Sequence, residues 1–140
     1  MEYTPMDPCK EAVKRVTDRL EIPCICNNCG GLVEVAHHCA IYGHKLGNWP
    51  WVYACNDCDS YVGMHPRTNL PLGTLANKEL RALRIRAKNA FNYAWQMQGM
   101  NRTDGYTWLA SKLGIKKSKC HIGWSDEAQC KQIIEICEGL

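Results

Sequence analysis

Cys26-Asn27-Asn28-Cys29-Gly30-Gly31 and, with 25 residues between the pairs, Cys55-Asn56-Asp57-Cys58 are the stretches whose reading decides the fold. Two thiolates two residues apart can grip one metal ion while backbone N–H groups in the turn point at the sulfurs. The glycines after Cys29 permit left-handed backbone angles there. Two such knuckles beside short β-type runs predict a zinc ribbon with one structural Zn2+ held by Cys26, Cys29, Cys55 and Cys58. The interval exceeds the common ~15–20 residues, which places an insertion at a hairpin tip within residues 37–49. A rival ligand set would bring in Cys24, Cys39 or one of His37 and His38. Four thiolates close the shell and leave no position for water, so the expected role is stability. Structural zinc in small fingers is worth ~10–16 kcal/mol, against ~2–4 for a disulfide.

Working outward, Leu32 to Ala36, Trp51 to Ala54 and Tyr61 to Met64 are strand candidates. Residues 65–76, with Pro66, Pro71 and Gly73, read as a loop. Residues 7–20 read as a helix capped by Asp7, with Pro8 in its first turn. Its core face is Cys9, Ala12, Val13, Val16 and Leu20. Residues 77–98 give the clearest helical period: Leu80, Leu83, Ala87, Ala90, Phe91 and Ala94 share one face and Gly99 ends it. A helix over 104–113 is expected to be capped by Thr103 or Asp104 and stopped by Gly114. A last one over 126–138, capped by Ser125, has a buried stripe of Cys130, Ile133, Ile134 and Cys137. The expected class is therefore α+β: a zinc ribbon of short antiparallel strands packed on a helical part of about four helices. It is read as a single domain over 1–140, with an N-terminal helix in 1–23, the ribbon in 24–64 and the helical part in 65–140.

The chain of 140 residues has 46% hydrophobic and 22% charged residues, ordinary for a globular protein. No apolar run approaches the ~18 residues of a membrane span. Residues 1–10 lack a basic head followed by an apolar stretch, so a cytoplasmic protein is expected. Ten cysteines then argue for metal rather than disulfides. Cys9, Cys24, Cys39 and Cys137 are expected to be buried, inert thiols.

The net charge of +3 is unevenly spread: residues 65–101 hold six basic groups and one acidic. On a helical wheel Arg81, Arg84 and Lys88 share an arc of about 60°, with Asn92 and Trp95 alongside. A row of cations flanked by an aromatic suits a phosphate backbone, and Arg67 in the preceding loop adds to it. The plainer reading is a solvated helix face. His65, Thr68 and Asn69 could bind an anion or tie ribbon to helix, and the structural role is favoured for Thr68 and Asn69. Cys120, His121 and Cys130 raise the question of a second metal site. Cys130 and Cys137, two helical turns apart, lie ~10 Å from one another and cannot readily share an ion.

These residues resemble an uncharacterised zinc-finger-containing family of tailed bacteriophages and bacteria. The matching pieces run in order: Cys26-x-x-Cys29-Gly30, Cys55-x-x-Cys58 and Tyr61-Val62-Gly63-x-His65. Then come Thr68-Asn69-x-Pro71-Leu72-Gly73-Thr74-Leu75-Ala76, followed by Leu80-Arg81, Arg84, Ala87, Phe91 and Trp95. Tyr106-x-Trp108-Leu109-Ala110-x-x-Leu113-Gly114-Ile115, Cys120-His121-Ile122-Gly123 and Cys130 complete it. The resemblance implies a phage origin, a host-cell cytoplasmic location and a zinc-bearing fold, and little about function. Lys88 stands where the family usually has histidine, and Asn92 where it has aspartate, which weakens an enzymatic reading of that helix.

Three functions compete. One is a phage-type accessory protein that binds DNA or RNA through Arg81, Arg84, Lys88 and Arg67. Another is a protein-binding module that inhibits or redirects a host machine (a polymerase, nuclease or defence complex) through an exposed aromatic cluster of Tyr42, Trp49, Trp51 and Tyr53. The third, a nuclease using His65, lacks the paired acids or open metal site that such chemistry wants. The ranking favours nucleic acid, then host protein; enzyme comes last.

Overall fold

The two C-x-x-C turns bracket a hairpin. Strand β1 (Val33–His37) pairs antiparallel with β2 (Trp51–Cys55), so that Val33 faces Cys55 and His37 faces Trp51. Strand β3 (Tyr61–Gly63) pairs on the other side of β2, with Tyr53 opposite Val62, giving the order β1-β2-β3. The computed structural model describes residues 3–37, 39 and 48–140. Most of the expected hairpin insertion therefore lies outside the described residues.

The chain divides into two compact units, Met1–Asn77 and Lys78–Leu140. In the first, the core is Cys26, Tyr53, Cys55, Val62, Met64 and Leu75, with Val33, Val35, Trp49, Trp51 and Cys58 packed against it. Residues 65–76 form no regular element, as their prolines require, but they are not a free loop. They double back along β3 through bridges Met64↔Pro71 and Tyr61↔Ala76, and the Leu72 N–H donates to the Gly63 carbonyl at 2.9 Å. The exposed edge of β3 is thus covered by the chain's own backbone.

Helix α1 is much shorter than the sequence suggests, Lys10–Arg15, with Cys9 rather than Asp7 at its N-cap. Asp7 is spent in a tight turn whose N–H donates to Thr4. At the other end Val16 is extended, and Arg19 folds back to donate to the carbonyls of Val13 and Val16. The guanidinium replaces the helical N–H donors of a further turn, which β-branched Val16 and Thr17 would support poorly.

The second unit is helical. Helix α2 (Lys78–Met97) buries Leu80, Ala87, Phe91 and Ala94, within the stripe that the periodicity marks out. Gly99, at φ +71°, closes it: the Met100 N–H reaches back to the Trp95 carbonyl at 3.0 Å. Helix α3 (Arg102–Leu113) begins two residues earlier than expected, because Asn101 is the cap and accepts from the Asp104 N–H at 2.7 Å. Gly114 at φ 71° ends it. Helix α4 (Glu127–Glu138) buries Cys130, Ile133, Ile134 and Cys137. Its cap is Asp126, accepting from the Gln129 N–H, not Ser125, which is buried. Helix α2 packs chiefly on α4 and also on α3. Gly105 makes the α2–α3 approach close: a Cβ there would sit 2.7 Å from the Trp95 Cβ and 3.3 Å from the Phe91 ring. Phe91 and Tyr106 meet across that contact with ring centroids 4.6 Å apart. No helix among the described residues is long and apolar enough to cross a membrane.

Candidate functional site

The four cysteines of the two knuckles converge. Their sulfurs all lie within 4.8 Å of one another, with Cys26 to Cys58 at 3.8 Å and Cys29 to Cys55 at 3.4 Å. A tetrahedral ion with ~2.3 Å bonds to sulfur spaces its ligands by about 3.8 Å. A disulfide requires about 2.05 Å, and all ten cysteines are free. The donor set and its spacing fit one structural zinc ion, with Cys26 and Cys55 buried beneath it and Cys29 at the surface.

Each knuckle aims its backbone at sulfur. The Asn28 N–H donates to Cys26 Sγ and the Gly31 N–H to Cys29 Sγ, both at 3.4 Å; the Asp57 N–H donates to Cys55 Sγ at 3.3 Å. Gly30, at φ 80°, makes the first turn, where a side chain would be strained. Gly31 is needed for a different reason. A Cβ there would meet Asp57 of the other knuckle at 2.5 Å, so the two turns approach only because that atom is missing.

Burial pushes the Cys26 thiol up, but the N–H groups of Asn28 and Cys29 outweigh it and bring its pKa down to about 7. Cys29 goes the other way, to about 12: the Gly31 N–H lowers it, but hydrogen bonds with the Cys55 and Cys58 thiols raise it more. Four sulfurs this close cannot all carry charge without a cation among them, so the pair records competition that a divalent ion resolves.

Sequence reasoning missed the groups that hold the knuckles. The Asn27 side chain makes a paired contact with Leu75, donating to its carbonyl at 3.0 Å and accepting from its N–H at 3.1 Å. Asn28 donates to the same carbonyl and to Ser60 Oγ. Ser60 lies 3.1 Å from Cys58 Sγ, where its hydroxyl can donate to a thiolate. The Pro-Leu-Gly-Thr-Leu-Ala run, 71–76, is therefore a clamp on the metal turn, and Leu75 is its anchor at 1% exposure. The signal was present in the sequence: both positions between Cys26 and Cys29 are asparagines, which pair readily with backbone.

Several expected site residues sit otherwise. Tyr53, assigned to an exposed aromatic surface, is 4% exposed and bonded through its hydroxyl to the Asn69 carbonyl. Trp49 and Trp51 are half-buried against the same core, and the Trp49 N–H donates to the Thr68 carbonyl. A sheet with one sealed edge has little other apolar mass to use, so it buries these rings. Tyr42 lies outside the described residues. Arg84 leaves the basic stripe: Nε and an Nη donate to the Ser125 carbonyl at 3.0 and 2.9 Å, and its surroundings desolvate it enough to lower its pKa. Lys88 is exposed and Arg81 half-buried on α2, while Arg67 belongs to the first unit.

Thr68 has the structural role expected of it. At 1% exposure, its hydroxyl donates to the His65 carbonyl and accepts from the Leu70 N–H. Cys24 and Cys39 are exposed, against expectation, whereas Cys9 and Cys137 are buried. Cys120 and Cys130 are buried thiols whose pKa values desolvation raises. Among the described residues no second group of three or more metal-ligating side chains converges.

A family profile for a zinc-finger-containing domain, DUF3268, matches residues 22–139. No curated protein and no solved structure matches the chain.

Proposed function

We propose, from the premise that this chain belongs to the zinc-finger-containing DUF3268 family, that it is a phage-type accessory protein that binds nucleic acid through α2. Its zinc is structural, and its place of action is the cytoplasm of the host. The supporting observation is charge segregation. The helical unit, 78–140, carries eleven Lys and Arg against six Asp and Glu, whereas 1–77 carries six against eight. A zinc ion with four thiolates adds a further −2 to the first unit. On α2 itself, five cations accompany one acid, Glu79 in the first turn.

Arg84 donates to the Ser125 carbonyl from a largely desolvated position, so the cations of α2 assigned to phosphate in this reading are Lys78, Arg81 and Lys88, which span about 80° of the wheel. The host-protein reading has less support, because of the aromatic residues invoked for it Tyr53 is buried and Trp49 and Trp51 are half-buried. A closed four-thiolate shell offers no site for hydrolytic water, which favours binding over catalysis.

The test is fluorescence anisotropy with a 20-bp duplex at several salt concentrations. Three phosphate contacts give a slope near −2.7 in log affinity against log salt. The triple variant Lys78→Gln, Arg81→Gln, Lys88→Gln should keep zinc and helix content yet flatten that slope. A wild type that binds no duplex at low salt, or an unchanged slope in the variant, would refute the proposal. Mg2+- or Mn2+-dependent cleavage that His65→Ala abolishes would instead restore the enzymatic reading.

A further inference from the structure

The metal-bearing unit contains a second feature that the zinc site does not use. A cavity of about 320 Å³ is lined by Tyr3, Thr4, His37, Asn48, Trp49, Pro50, Trp51 and Arg67. It combines four rings with a guanidinium. The His37 ring stands edge-on to Trp51 with centroids 5.3 Å apart and planes at 82°. Trp49 is held by the hydrogen bond from its indole N–H to the Thr68 carbonyl.

The guanidinium comes from the same turn. Among the described residues Arg67 is the one non-glycine with a left-handed backbone, φ 61°. That conformation strains an ordinary residue, a strain that glycine avoids. The turn is over-determined around it. The Thr68 N–H donates to the His65 carbonyl at 3.1 Å, and the Arg67 carbonyl accepts from the Cys9 N–H at 2.8 Å. An exposed arginine is thus kept at a strained position, beside a pocket of rigid aromatic rings.

We infer that this cavity takes one unpaired nucleotide, its base against the Trp49, Trp51 and Tyr3 rings and its phosphate on Arg67. Flat π-faces receive any base, the volume of about 320 Å³ has room for one ring system, and a duplex cannot present a base to it without unpairing. Arg67 supplies a forked donor for the phosphate and can also stack. The inference rests on the nucleic-acid reading above, but it uses residues of the metal-bearing unit alone.

Three probes test it: a 12-nucleotide oligothymidylate, thymidine 5′-monophosphate and a 20-bp duplex, followed by anisotropy and tryptophan quenching. The wild type should bind the oligothymidylate with quenching. Tyr3→Ala, at the half-exposed rim, should weaken that binding by about tenfold, the loss of one stacking contact. Arg67→Gly relieves the φ 61° strain, so it should keep zinc and fold while flattening the single-strand salt slope by about 0.7. Quenching by the monophosphate at equal affinity would support the pocket and identify the free nucleotide as its ligand. Oligothymidylate binding that neither substitution changes overturns the pocket, even if duplex binding through α2 stands. Failure of the wild type to bind either single-stranded probe overturns it as well. Loss of duplex binding with retained, Arg67-dependent oligothymidylate binding leaves the pocket and removes the α2 reading.

Discussion

The two units of this chain solve the same problem by different means. Lys78–Leu140 is built from helices of 20, 12 and 12 residues whose apolar stripes cover one another. Met1–Asn77 has strands of five, five and three residues and a helix of six. Elements so short cannot bury enough surface to offset their ordering entropy. Two of the six residues in that unit's buried cluster, Cys26 and Cys55, are metal ligands. The comparison teaches that cysteine plays two parts here. In the ribbon it replaces a core with a coordination bond; in α4, Cys130 and Cys137 are simply small apolar residues of the core.

Removing the metal gives the largest break in that comparison. Cys29→Ser or Cys55→Ser, or a strong chelator, should forfeit most of the ~10–16 kcal/mol of structural zinc. The ribbon should become sensitive to protease while the helical circular dichroism of 78–140 persists. Simultaneous loss of both signals would mean that the helical unit depends on the metal too.

Next in size is the reverse experiment. Phe91→Ala should cost about 3–5 kcal/mol, and Gly105→Ala, which drives a methyl into Trp95, about 1–3 kcal/mol. Both should lower the melting temperature of the helices with zinc stoichiometry unchanged. Zinc loss in either variant would contradict separate cores.

A finer contrast lies within α2. Arg84→Gln removes two charged hydrogen bonds to the Ser125 carbonyl and should destabilise by about 1.5–3 kcal/mol. Lys88→Gln, on the exposed side, should stay within about 0.5 kcal/mol. Chemical denaturation of the two variants measures the difference; equal effects would return Arg84 to the basic stripe.

The smallest effect sharpens the metal site. Ligands must be deprotonated, so zinc affinity falls as pH falls. Above pH 7 the Cys26 thiol, lowered to about 7, has already lost its proton, whereas Cys29, near 12, still carries one. Below pH 7 Cys26 is protonated and its proton must also be displaced. A plot of log affinity against pH should therefore steepen by about one proton per ion as it crosses pH 7. Competition with a chromophoric chelator from pH 8 to 6 reads this, and a slope constant through 7 would remove the claim about Cys26.

The sequence by itself determined whatever rests on short-range pattern. C-x-x-C spacing is a local geometric constraint, and it picked out all four cysteines that converge. Helical periodicity is equally local, and the stripe of α4 is buried as read. What only the tertiary structure decided are matters of partnership across the chain. Whether Arg84 faces solvent depends on a carbonyl 41 residues away, and whether Tyr53 is exposed depends on a loop 16 residues on. The shortness of α1 depends on Arg19 folding back onto it. The role of 71–76 as a clamp depends on Asn27, 48 residues before Leu75. Composition cannot fix such choices, because a cation or an aromatic ring lowers its free energy either in water or against a suitable partner. The partner's position comes from chain topology, which no local pattern encodes.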